Sequence, residues 1–185
     1  MLIDKYENWH EYNVDKSSIP IKSEIHRQLM NSKLIKYVEK TQSSIILKNI
    51  RMFSVCGNMG DGMGNPDIVP IVEWIREINP TTRIDIRTNG GIGDPEQYKR
   101  LAELKAHLTF GIDGIGAKNE LYRVNVKWDK LYKNLITFSD NAESWQKEIQ
   151  FLLWGETAMD ILPIVKLANE YECGFLHLRR PYTTG

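Results

Sequence analysis

From residue 50 onward, short runs of β-branched and aromatic residues alternate with longer stretches whose apolar residues recur at helical spacing, and few folds accommodate that order. Strands are expected over residues 50–56, 83–88, 108–112, 149–154 and 174–178. Between them, residues 67–78 put Ile68, Ile71, Val72 and Ile75 on one helical face, and residues 95–106 do the same with Tyr98, Leu101, Ala102 and Leu104. Residues 128–138 and 157–171 follow the same rule, with Pro163 either in the first turn of the latter or bending it. A βαβαβαβαβ order implies right-handed crossovers and a parallel sheet with helices outside, either an open doubly wound sheet or part of a β/α barrel. The 185 residues suit one domain with a substantial core, and no linker divides them. Residues 1–45 form an N-terminal extension, helical over 21–40 and otherwise irregular, with Tyr6, Trp9, His10 and Tyr12 in its first part; residues 46–185 carry the α/β unit.

Charge excludes several functions. Lys plus Arg and Asp plus Glu both number 24, so net charge is zero and nothing draws the chain to nucleic acid or an anionic membrane. No uncharged apolar stretch approaches the roughly 18 residues of a membrane helix. Asp4, Glu7 and Glu11 stand where a signal peptide would need an apolar core, so a cytoplasmic protein is expected. Two cysteines, Cys56 and Cys173, are too few for a disulfide framework, a four-cysteine zinc site or a cysteine-ligated iron–sulfur cluster.

In parallel α/β folds the ligand sits at the C-terminal ends of the strands. Those ends here read Cys56-Gly57-Asn58-Met59-Gly60-Asp61-Gly62-Met63-Gly64-Asn65-Pro66-Asp67, then Thr88-Asn89-Gly90-Gly91, then Asp113-Gly114-Ile115-Gly116. Each combines glycine, which permits close backbone approach, with carboxylate, amide or hydroxyl groups. Any single one is ordinary turn chemistry, with Asn65 or Asp67 as a helix cap. Their coincidence on one face predicts one shared polar pocket. A dinucleotide fingerprint fails: Asp85 lies about where a ribose-binding acid belongs, but Gly60, Gly62 and Gly64 are followed by Asn65. A P-loop fails because Gly57 and Gly62 are followed by Met63-Gly64 in place of Lys-Ser/Thr.

Together these segments resemble the core domain of radical S-adenosylmethionine (SAM) enzymes, especially the type found in phage and metagenomic sequences. The segment from Val55 to Ile68 is similar to that family's second-strand motif, a glycine pair and an acid followed by Pro66-Asp67 opening a helix. Thr88-Asn89-Gly90 matches the Thr-Asn-Gly after the third strand, and Phe110-Gly111-Ile112-Asp113-Gly114 the Asp-Gly end of the fourth. Asn119-Glu120-Leu121-Tyr122-Arg123 and Trp128-Asp129-Lys130 resemble the Tyr-Arg and Trp-Asp-Lys segment that follows. The similarity runs from about residue 50 to residue 175. It implies a partial β/α barrel of about five strands that binds SAM. Asp61 would hold the methionine amino group, Thr88 and Asn89 would line the methionine and sulfonium side, Asp113 would approach the ribose, and backbone near Gln150 would border the adenine. Gly57, Asn58, Gly60, Gly90 and Gly114 complete the implied cofactor loops.

The family also places C-x-x-x-C-x-x-C after its first barrel strand, because three thiolates hold a 4Fe-4S cluster and leave one iron open for SAM. No such motif occurs here, and no cysteine precedes residue 50. Gly62 stands where the family commonly has proline, and the chain ends soon after its last expected strand. A divergent or truncated radical SAM domain is therefore expected, its ancestral reaction being reductive cleavage of SAM to a 5′-deoxyadenosyl radical, its cluster present only if another segment supplies it. The alternatives are a cluster-free SAM- or nucleotide-binding pseudoenzyme, a partner-docking module, or an unrelated α/β enzyme using Asp61 or Asp113 as acid or base.

The remaining polar residues offer no catalytic set. His10, His26, His107 and His177 lack metal spacing; His107 is expected at the surface near a helix end, and His177 in a strand facing a pocket or held structurally. Arg179-Arg180 reads as a solvated pair, and Ser54 has no nucleophile context. A parallel sheet with two open edges predicts a homo-oligomer, a complementing fragment, or a cover from residues 1–16.

Overall fold

The structure, a computed structural model, describes residues 48–55, 60–153, 155 and 157–180. The expected helix over 21–40, residues 1–16, Cys56, Gly57 and Asn58 lie outside the described residues.

Five strands form one sheet: β1 (Met52–Val55), β2 (Arg83–Thr88), β3 (His107–Gly111), β4 (Lys147–Leu152) and β5 (Phe175–Arg179). All four pairings are parallel, and each strand lies beside the next in sequence. A doubly wound sheet reverses its strand order at a switch point, whereas steady winding in one direction is how a β/α barrel grows. The chain is thus an α/β partial barrel, open between β1 and β5. Its crossovers carry α1 (Ile68–Ile78), α2 (Pro95–Glu103), the pair α3 (Ala117–Tyr122) and α4 (Trp128–Asn141), and α5 (Ile161–Glu170).

Alternation along the strands gives the sheet two unlike faces. One is apolar: Ile84, Ile86, Leu108, Phe110, Ile149 and Phe151 are buried with Ile71, Val72 and Ile75 of α1, Tyr98 and Leu101 of α2, Leu131, Leu135 and Phe138 of α4, and Ile164 of α5. Burying a side chain of this size contributes about 1.5–3 kcal/mol, so this layer holds the helices to the sheet. The intervening residues, among them Arg83, Asp85, Arg87, His107, Thr109, Gly111, Glu148, Gln150, Phe175, His177 and Arg179, form the concave face. A face bearing so many charges cannot be an ordinary core, which leaves it to solvent or ligand.

Local sequence explains most element ends. Pro95 opens α2 behind an Asp94–Gln97 capping box, and α2 ends at Glu103, before the expected 106, where Lys105 takes φ 56°. Asp67 stands at the N-cap of α1 without a side-chain capping bond to the helix; Asn65 Oδ1 accepts from the Asp67 amide at 3.0 Å. The helix expected from 157 begins at Ile161 after a short 3-10 turn, with Pro163 in its first turn, where a missing N–H costs nothing. Arg76 fastens three elements: its guanidinium donates to Leu104 O at 2.7 Å, Pro80 O at 3.0 Å, Thr82 O at 2.5 Å and Lys105 O at 2.8 Å.

His107 is not a surface residue. It opens β3 and is 2% exposed on the concave face, with Nδ1 3.5 Å from Asp85 and Nε2 3.5 Å from Glu148. The helical spacing of Leu101 and Leu104 suggests a helix running up to it, but the strand begins at His107 itself because its register against Asp85 buries the ring.

Candidate functional site: a polar pocket at the strand ends

Asp61 ties two strand ends together. It caps the 3-10 turn Gly62–Gly64 through Oδ1, which accepts from the Met63 amide at 2.9 Å, and its Oδ2 accepts from the Asn89 amide at 2.6 Å. The loop after β1 is thereby pinned to the end of β2. Thr88 and Asn89 then fold the β2 end back on itself: Thr88 Oγ1 accepts from the Gly90 amide at 3.0 Å, and Asn89 Oδ1 from the Gly91 amide at 2.8 Å. Gly90 belongs to this turn at φ 73° and packs against α4, where a Cβ would fall 2.9 Å from Leu131 Cγ.

The end of β3 carries the most heavily buried charge. Asp113 is 0% exposed; its amide donates to Asn119 Oδ1 at 2.9 Å, and its Oδ1 accepts from the Leu152 amide at 3.0 Å. Its Oδ2 lies 2.6 Å from Nη2 of Arg123, whose side chain is 26% exposed. Burial pushes the Asp113 carboxyl upward, and Arg123 and the Leu152 amide pull it back. The Arg123 guanidinium rests on Gly111, where a Cβ would stand 2.5 Å from Nη2, so a larger residue there would displace it.

These parts surround one cavity of about 410 Å³, lined by Gly60, Asp61, Arg87, Thr88, Asn89, Thr109, Gly111, Arg123 and Gln150. That volume lies within the usual range for small-molecule sites. Of the residues that the sequence nominates, Gly60, Asp61, Thr88, Asn89 and Gln150 line it. Gly90, Asp113 and Gly114 are not among the lining residues, and Asp113 turns its oxygens to Arg123 and Leu152. Arg87, Thr109, Gly111 and Arg123 are the lining residues that sequence reasoning missed. For Arg87 the signal is present: Arg-Ile-Asp-Ile-Arg-Thr alternates, so an apolar outer face for Ile84 and Ile86 puts Arg87 on the inner one.

The wall offers a carboxylate at Asp61, guanidinium groups at Arg87 and Arg123, and hydroxyl and amide groups between them, a donor set suited to a zwitterionic small molecule. An iron–sulfur cluster is another matter. The sequence holds two cysteines, and Cys173 precedes β5 at the opposite end of the sheet, its thiol pushed up to about 11 by burial. Among the described residues no group of three His, Cys, Asp or Glu side chains is arranged to hold a metal ion. These 185 residues therefore do not fit a three-thiolate cluster.

Fold and cavity together define an α/β partial barrel with a polar cavity at the carboxyl ends of its strands. No family model and no curated protein matches the chain. Among solved structures it is similar to Streptococcus suis SuiB bound to S-adenosylmethionine, with TM-score 0.63 and 16% identity over 80% of this chain and 34% of SuiB. It is also similar to anSMEcpe with bound AdoMet, with TM-score 0.58 and 18% identity over 79% of this chain and 42% of that one. The same protein with a bound Kp18Cys peptide gives TM-score 0.57 and 18% identity over 78% of this chain and 43% of that one. The chain thus spans less than half the length of these proteins and shares their fold. Among the described residues no helix is long and apolar enough to cross a membrane.

Proposed function

We propose that the pocket binds S-adenosylmethionine and that the chain is a divergent or truncated radical-SAM-type domain without ligands of its own for the 4Fe-4S cluster. The observation that carries this reading is the placement of Asp61 and Arg123 on the wall of one cavity, in a fold whose solved neighbours hold S-adenosylmethionine. The methionine part of SAM carries an ammonium and a carboxylate. Asp61 has one lone pair per oxygen left after its two amide bonds, and so can accept from the ammonium. Arg123, backed by Asp113, pairs with the carboxylate as a two-pronged donor. Thr88, Asn89 and Gly60 lie beside Asp61, and Gln150 closes the β4 side, where the adenosine would extend. On this geometry Asp113 positions Arg123 and the Leu152 backbone, and touches the ligand through them.

Reductive cleavage of SAM needs an electron donor that these residues do not hold, so the cluster would come from a complementing segment or protein. Either edge strand among the described residues, β1 or β5, could pair with a further strand from such a fragment or from a second copy of this chain. The cysteine count favours a second reading, in which the chain is a cluster-free SAM- or nucleotide-binding pseudoenzyme.

Calorimetric titration of the iron-free protein separates these readings. SAM is expected to bind one per chain, with D61N at least tenfold weaker. ATP binding more tightly than SAM would favour the nucleotide reading; no saturable SAM binding would overturn the proposal. Anaerobic reconstitution that delivers four irons per chain would overturn the cluster-free part alone.

A further inference from the structure

Among the described residues, the cation that lines the cavity from the concave face of β2 has no counter-charge. Arg83 pairs with Asp85 at 2.7 Å, Arg123 with Asp113 at 2.6 Å, and His177 with Glu148 at 3.2 Å. Arg87 lines the same cavity, yet among the described residues no carboxylate lies within ion-pair distance of it. Among the described residues its side chain makes one hydrogen bond, a long one from Nη1 to Gln150 Oε1 at 3.4 Å, a neutral amide that an anion would displace. Thr109, its register partner on β3, lines the same wall and adds a hydroxyl.

We propose that Arg87, with Thr109 and Gln150, forms an anion subsite for a second ligand, a substrate bearing a carboxylate or phosphate group. Assigning that anion to a co-substrate rests on the SAM reading, in which Asp61 and Arg123 already answer the charges of the methionine moiety. An arginine guanidinium presents five N–H donors in a planar fork that either anion can engage two at a time, and the exposed Arg87 is reachable from the cavity. The substrate would thus enter with its acidic group toward the strand interior, placing the rest of the molecule beside the SAM-facing strand ends.

The test uses the full chain and two probes, glutarate and inorganic phosphate, each titrated at constant ionic strength with the Arg87, Thr109 and Gln150 resonances followed by NMR. A saturable shift is expected with one of them, and the preferred probe identifies the chemistry. R87Q should weaken that probe at least tenfold, while R87K, which keeps the charge and loses the fork, should fall between R87Q and the native chain. Saturating SAM should change the probe's dissociation constant by less than threefold. No saturable shift with either probe, unchanged affinity in R87Q, or competitive displacement by SAM would each overturn the subsite. If the probe binds through Arg87 but SAM does not bind at all, the SAM reading fails and the anion subsite stands.

Discussion

Arg123 and Asp113 meet at 2.6 Å through Nη2 and Oδ2, with the guanidinium lying over Gly111, so a buried carboxylate that no solvent reaches aims an arginine at the pocket. Each partner depends on the other. Asp113 without Arg123 would be an isolated charge in the interior, and Arg123 without Asp113 would be free to swing away from the cavity wall.

R123M is therefore expected to destabilise the fold by about 3–5 kcal/mol near neutral pH, as removal of one partner from a buried pair does. Burial already raises the Asp113 carboxyl, and losing Arg123 raises it further. A folded-state value above the unfolded one means that the deficit is smallest below the unfolded value and grows as pH rises through the folded one. Urea melts of R123M and the native chain at pH 3.5 and pH 7 check this; a deficit independent of pH would refute it.

G111A introduces a methyl where Arg123 lies. The added Cβ would stand 2.5 Å from Nη2, so the guanidinium must shift on the pocket wall while its pair with Asp113 is kept. A loss of SAM affinity of at least tenfold in calorimetry is expected, with a stability cost of about 1–3 kcal/mol. Native SAM affinity in G111A would show that Arg123 takes no part in binding.

Arg76 donates to four backbone carbonyls from α1, binding the β2 approach and the end of α2. R76M should cost about 2 kcal/mol or more, since several acceptors lose a charged donor at once, and the urea midpoint reads it. A change under about 0.5 kcal/mol would show that water replaces the clasp fully.

How much of this is legible in the sequence follows from which forces act locally. The five strands and four long helices are readable because Ile68, Ile71, Val72 and Ile75, or Ile84 and Ile86, repeat at the period of their own element. Asp61, Thr88 and Asn89 stand out because strand-end turns have a recognisable chemistry. Arg123 falls within a motif that assigns it no role, since its place in the pocket depends on a pairing with Asp113 ten residues earlier in sequence and on the bare Gly111 beneath it. His107 misleads for a related reason: its burial comes from Asp85 and Glu148 on neighbouring strands, which no local period announces.

His107 also carries a pH prediction. Burial holds its imidazole below the ordinary histidine value, against the pull of Asp85 and Glu148. A depressed folded-state value gives stability that is present above the unfolded value near 6.5 and is lost as pH falls through the folded one. The melting temperature should drop between pH 7.5 and 5 by more in the native chain than in H107Q; equal drops would place the sensitivity elsewhere.

A crystal structure of the iron-free chain soaked with SAM tests the central claim most directly. The ligand's ammonium within hydrogen-bonding distance of Asp61, and its carboxylate on Arg123, is the predicted result. SAM lodged away from the cavity bounded by Asp61, Arg123 and Gln150, or no bound SAM at millimolar concentration, would contradict it.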